Sequence, residues 1–204
     1  MKKINRNNPP QEFLDLVNGP ARPHNWDEFV RDYSDLYHAL RKQLLAEQHD
    51  TSGYTEKHLD ANGNIHIDHF RRKGIFGAAV TFDNTNMVVD ERDCRLYGAG
   101  FKDARVTKED YQWLIDPIAE NPDDFFTYMA DGTMIPRRDI EAEKAKRAKF
   151  TIDMFNLNHP HLRNKRRDLM MMLEVYKQSA MSKEDATIGF QSIGFFTLID
   201  YVYG

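Results

Sequence analysis

A single cysteine, Cys94, is all the thiol chemistry in this sequence, which excludes an intrachain disulfide and a cysteine-rich zinc knuckle. A reducing, intracellular compartment is the expectation that follows. No apolar run approaches the length of a membrane span, and Met1-Lys2-Lys3-Ile4-Asn5-Arg6 leads into polar sequence rather than the apolar core of a signal peptide. The expected location is the cytoplasm, with no membrane partner. Surplus positive charge is also missing. Against 28 Lys and Arg stand 32 Asp and Glu, a net charge of −4, so no global field draws the chain to nucleic acid. Any basic surface is local, and clusters occur at Arg71-Arg72-Lys73, Lys144 to Lys149 and Arg163 to Arg167. No internal repeat or low-complexity tract is visible. What the chain does have is 41% hydrophobic and 12% aromatic residues over 204 positions, enough to bury one sizeable core and too apolar for disorder.

The stretch Ile65-His66-Ile67-Asp68-His69-Phe70-Arg71-Arg72-Lys73 organises the rest. Ile65 and Ile67 alternate with His66 and Asp68, the period of a half-buried strand. Asn62-Gly63 before it is a dipeptide suited to a hairpin turn. The strand therefore ends on a carboxylate and an imidazole, with three cations after them. A carboxylate binds a hard divalent cation, an imidazole takes a proton from water, and Arg and Lys face phosphate. A solvated surface loop has the same composition, so the remaining chain must decide.

Pro9-Pro10, Gly19-Pro20 and Pro23 interrupt the N-terminal arm and leave room for a short helix over Gln11 to Val17. From Trp26 to Gln48, apolar residues recur at spacings of three and four, predicting one amphipathic helix. Residues 49–64 are polar and turn-rich. Met87-Val88-Val89 suits a second strand or a helix start, and Tyr97 to Asp103 is glycine-rich for a helix. Trp113 to Pro117 reads as an extended segment stopped by proline. Asn121-Pro122 marks a turn, and Asp131-Gly132 a hairpin returning through Met134-Ile135-Pro136. Helices are expected over about 139–155 and 160–179. Ser182-Lys183-Glu184-Asp185 has the form of a capping box opening a last helix. His159 and His161 fit a helix start better than a metal site, and Met170-Met171-Met172 faces the core or a partner.

The ordered motifs resemble the HNH endonucleases. Ile67-Asp68-His69-Phe70 looks like the family's strand end, Thr81-Phe82-Asp83-Asn84-Thr85-Asn86-Met87 like its Asn segment, and Tyr97-Gly98-Ala99-Gly100-Phe101-Lys102-Asp103 like its helix segment. Leu114-Ile115-Asp116-Pro117, Asn121-Pro122, Asp131-Gly132, Phe155-Asn156-Leu157-Asn158 and Arg166-Arg167 follow in order, so the resemblance spans about residues 40–170. It is nearest to the PtuB-like nucleases of Septu and retron-associated anti-phage systems, which work beside a PtuA-like ATPase.

That resemblance implies an α+β fold, a ββα-metal core embedded in a mainly helical single domain. Residues 1–48 would form an N-terminal arm and helix, 49–138 the HNH-like core with its following hairpin, and 139–204 C-terminal helices packed on it. It implies His69 as general base, Asn86 as the residue orienting it, and Asp68 as ligand of Mg²⁺ or Mn²⁺. Arg71, Arg72 and Lys102 become candidate DNA contacts, and a reverse transcriptase with its RNA–DNA hybrid a candidate partner beside the ATPase. The sequence also departs from the family. Ser52, Thr55, Glu91 and Cys94 stand where relatives carry zinc cysteines, so no structural zinc is expected. Arg95, which holds no metal, stands near the third catalytic position, leaving Asp103, and after it Asp93, as substitute ligands.

Overall fold

A short antiparallel ribbon divides the buried apolar side chains into two groups. The computed structural model describes residues 1–204. In it β1 (Ile65–His69) pairs with β2 (Met87–Glu91) in the register Ile67↔Val89 and His69↔Met87. Successive side chains point to opposite faces of a strand. Ile65, Ile67, Met87 and Val89 accordingly join one cluster, and Val88 joins the other.

The first cluster belongs to the N-terminal helices α1 (Gln11–Asn18), α2 (Trp26–Asp32) and α3 (Ser34–Glu47). The single helix expected from Trp26 to Gln48 is thus two. Tyr33 leaves the helix at φ −126°, ψ 45°, between them. The bend has a packing reason: Trp26 and Phe29 before it, and Tyr37 and Leu40 after it, all close on the same ribbon face.

Beyond β1 the chain makes two helical turns, α4 (Lys73–Phe76) and α5 (Ala78–Thr81), before β2. The helix α6 (Ala99–Asp103) follows. The strand–strand–helix order is therefore present. Asn62-Gly63 turns the chain into β1 but forms no hairpin with a preceding strand, because β1 spends its pairing edge on β2. The polar segment 49–64 is folded inward, contrary to its composition. Thr51, Ser52, Tyr54, Thr55 and Glu56 are buried, and hydrogen bonds satisfy them. Ser52 Oγ donates to Asp90 Oδ1 at 2.6 Å, and Glu56 accepts from the Thr197 amide at 2.9 Å and from the Met1 amine.

The second cluster is built mainly from the C-terminal half, with Met1, Ile4, Tyr54 and Phe70 packed into it. β3 (Phe126–Tyr128) and β4 (Met134–Pro136) form the expected hairpin around Gly132. α7 (Ala142–Met154) and α8 (Pro160–Gln178) pack against it, and His159 caps α8. On α8, Met170 is buried and Met171 and Met172 are exposed. Ser182 caps α9 (Lys183–Gly189) as its motif predicts, but the chain then turns at Gly194 and Phe195 into a further helix, α10 (Phe196–Tyr203). Trp113 to Pro117 pairs with no strand. The Ile115 amide donates instead to Thr151 Oγ1 of α7 at 2.9 Å. Helices and two small sheets make an α+β fold, in which no helix is long and apolar enough to cross a membrane.

Candidate active site

β1 ends at a cleft of about 490 Å³ whose lining includes His66, Asp68, His69, Arg72, Lys73 and Arg92. His69 leaves the ribbon on the N-terminal side, edge-on to Trp26 with centroids 4.6 Å apart. Its Nε2 lies 2.8 Å from the Thr81 carbonyl oxygen. A carbonyl only accepts, so Nε2 carries the hydrogen and Nδ1 keeps the lone pair. Burial pulls the imidazole pKa down to about 4, against the opposing pull of the Thr81 carbonyl and Asp68. At neutral pH His69 is therefore an uncharged ring whose Nδ1 is free to accept a proton, though burial also makes that nitrogen a weaker base than an ordinary imidazole.

Asn86 does not touch that ring. Its Nδ2 donates to the carbonyls of Arg71 and Val80, each at 3.1 Å, and its Oδ1 accepts from the Arg71 amide at 2.7 Å. The Phe70 amide donates to the Asn86 carbonyl at 2.9 Å. Asn86 thus ties the end of β1 to the turn of α5 whose next residue supplies the Thr81 carbonyl. It holds His69 through the backbone, one step more indirect than the expected ring contact.

Asp68 leaves the ribbon on the opposite face. Its Oδ2 accepts from the Tyr54 hydroxyl at 2.6 Å and from Lys102 Nζ at 3.3 Å. Burial pushes this carboxyl up, but the Lys102 ammonium and the Tyr54 hydrogen bond outweigh burial and hold it below its ordinary range. Lys102 is 0% exposed. Its ammonium also donates to the carbonyls of His69 and Phe70, at 3.3 and 2.9 Å, and stands 3.1 Å from Asp103 Oδ1. Burial alone lowers the pKa of a lysine, and here Asp68 and Asp103 reverse that. Burial raises Asp103, and Lys102 only partly offsets it. Beneath this group, Asp90 accepts from Ser52 and from the Ala99 amide at 2.8 Å, and burial pushes its carboxyl up to about 6.

The structure therefore gathers His69, Asp68, Lys102, Asp103 and Arg72, the last through its guanidinium 2.6 Å from the Asp103 carbonyl. Arg71 is exposed and outside the cleft lining, and only its backbone serves the site. Lys102 corrects the expectation of a surface phosphate contact, because every donor direction is spent on buried oxygens. Arg95 is exposed and outside the lining, and Asp93 accepts from Asn64 at 2.8 Å, away from it. Tyr54, Thr81 and Trp26 were not among the expected site residues: Thr81 stood in the Asn segment and Trp26 at the start of an apolar stripe, but nothing in the sequence showed that Thr81 would offer its carbonyl or that Tyr54 and Trp26 would reach the strand end.

A divalent cation bridging Asp68 and Asp103 does not fit these residues. The Lys102 ammonium already lies between the two carboxylates, and Arg72 approaches Asp103 Oδ2 at 3.6 Å. No group of three or more His, Cys, Asp or Glu side chains converges to hold a metal. At an effective dielectric near 20, a dication about 3 Å from an ammonium is repelled by on the order of 10 kcal/mol. With Lys102 completely enclosed, it has no solvent-filled space into which to retreat.

No family model matches the chain. Along almost its full length it is similar to a protein of Vibrio cholerae serotype O1 biovar El Tor described as "Retron Vc95 putative HNH endonuclease". The two are 22% identical over 205 residues, covering 98% of this chain and 97% of that one. The comparison supports an HNH nuclease family.

Proposed function

We propose that the chain is an HNH-type endonuclease that hydrolyses phosphodiester bonds at the end of β1. The observation that carries this is His69 on the cleft wall with Nε2 committed to the Thr81 carbonyl, which leaves Nδ1 as the basic nitrogen of a neutral ring. In the proposed reaction a water loses its proton to Nδ1 and its oxygen attacks phosphorus. The P–O bond to the leaving alkoxide breaks, and that alkoxide is protonated from solvent. Arg72, Lys73 and Arg92 on the cleft wall oppose the charge of the phosphate. No step passes through the divalent cation that the HNH resemblance implies. The retron named for the relative, and the order of the motifs, support a role in anti-phage defence beside a PtuA-like ATPase, with DNA as substrate.

His69→Ala tests the proposal. Removing a general base lowers rate by about 10²- to 10⁴-fold, so nicking of supercoiled plasmid by the purified chain should fall to background while circular dichroism stays unchanged. Nicking that survives in the variant sinks the assignment. A second reading, an HNH-derived binding subunit that assembles with the ATPase, is favoured by one observation, the ammonium between Asp68 and Asp103. It requires that the wild-type chain nick nothing, alone or with its partner.

A further inference from the structure

We infer that Lys102 is the resident cation of this site, so that the chain works without a divalent metal bound between Asp68 and Asp103. This rests on the nuclease reading above and deepens it. Four observations converge. The Lys102 side chain is wholly enclosed, yet its charge is retained by two carboxylates on different elements, Asp68 of β1 at 3.3 Å and Asp103 of α6 at 3.1 Å. The carbonyls of His69 and Phe70 take its remaining hydrogens. Three aromatic rings, Tyr54, Phe70 and Phe155, surround it with centroids 5.5, 5.7 and 5.9 Å away, a lining that suits a permanent cation and offers no ligand to a metal. Finally, Asp103 Oδ1 is buried with the ammonium, 3.1 Å away, as its only close polar partner.

The consequence is electrostatic. Two carboxylates beside a cleft repel a phosphodiester unless a cation compensates them. Lys102, with Arg72 against Asp103, supplies that compensation from inside the fold. Lys102 touches no substrate, since it does not line the cleft. Its part is to compensate Asp68 and Asp103 and to hold β1 against α6.

The test joins a binding measurement to a cleavage assay on the full chain. Mn²⁺ binding is followed by the electron paramagnetic resonance of the free ion for wild type, Lys102→Met and Asp68→Asn, and plasmid nicking is run with EDTA or with Mg²⁺. We expect wild type to nick equally in both buffers, His69→Ala to nick in neither, and wild type to leave Mn²⁺ free. Lys102→Met uncovers two carboxylates and should bind Mn²⁺ at least ~10-fold more tightly than wild type, with nicking now lost to EDTA. Wild-type nicking that needs Mg²⁺, together with Mn²⁺ bound by wild type and lost in Asp68→Asn, overturns the inference and leaves the nuclease reading standing. If wild type nicks in no buffer, the nuclease reading fails instead, and Mn²⁺ affinity alone judges Lys102. Should Lys102→Met prove unfolded by circular dichroism, Mn²⁺ binding by wild type decides: none supports the inference, and binding that depends on Asp68 overturns it.

Discussion

His69 and Asp68 are adjacent in the chain and both buried, yet their neighbours leave them in opposite states of charge. The imidazole has a carbonyl and an aromatic edge for neighbours and becomes neutral. The carboxylate has an ammonium and a hydroxyl and stays ionised. The histidine makes a pH prediction with a definite sign. Its folded pKa of about 4 lies below the ordinary 6.5, so the basic form persists far into the acid range. If proton transfer limits the rate, the acidic limb of the nicking profile should fall near pH 4, measured on the free enzyme as kcat/KM. A limb near pH 6.5 would mean that His69 is solvated in the working enzyme and that the enclosed geometry is not the active one. The sequence made Asp68 and His69 legible because a strand end fixes where both side chains go. It did not show what sets their charge, because Thr81, Trp26 and Lys102 reach the site only through tertiary folding.

At the scale of elements, α6 is held by an acid that no motif singled out. Asp90 reaches across from β2 to the Ala99 amide at the start of that short helix, and Ser52 holds its other oxygen. A hydroxyl–carboxylate bond from Ser52 thus fastens this loop to the ribbon. Gly98 makes the approach possible. It sits at φ +71°, ψ −148°, and a Cβ there would lie 2.5 Å from Asp90 Oδ2. Gly98→Ala should therefore cost about 1–3 kcal/mol or more, read by urea denaturation. A neutral result would show that α6 tolerates displacement. Asp90 also titrates. Its carboxyl, raised to about 6 against an ordinary 3.8, lets the folded state bind a proton first. Stability from this group is present below pH 3.8 and lost as pH rises through 6. His69 has the opposite sign, and its contribution is lost as pH falls from 6.5 through 4. The two contributions cancel in part, and Asp90→Asn should expose the second. Relative to wild type, the variant should lose about 2.4 kcal/mol of stability between pH 7 and pH 4. A difference that does not change with pH would place the Asp90 pKa at its unfolded value. β1 was legible from alternation and the β3–β4 hairpin from its turn residues, whereas Met87-Val88-Val89 read equally as a strand or a helix start. The break at Tyr33 and the second C-terminal helix were not legible, because each is set by what it packs against rather than by local pattern.

Across the whole molecule, the net charge of −4 means that the proposed affinity for nucleic acid has to come from local basic surface, of which the cleft is the part beside His69. Arg31, Arg72, Lys73 and Arg92 line it, but Arg31 is paired with Asp32 and Arg72 with Asp103. Lys73 and Arg92 make no such pair, and Lys73 lies over the Trp26 ring beside His69. Each phosphate neutralised releases counterions, so the slope of log K against log salt for duplex DNA should be about −2 to −4. That is shallow and implies weak binding by the isolated chain at physiological ionic strength. Lys73→Ala and Arg92→Ala should each flatten the slope by about one. Arg71→Ala, on an exposed side chain outside the cleft lining, should leave it unchanged. Fluorescence anisotropy of a labelled duplex across a salt series measures all three. If Arg71→Ala flattens the slope and Lys73→Ala does not, DNA lies on the outer surface of the ribbon turn rather than over His69. If the wild-type slope steepens when an ATPase partner is added, further phosphate contacts reside on that partner. An acidic nuclease subunit of this kind would then depend on assembly to hold DNA against its base.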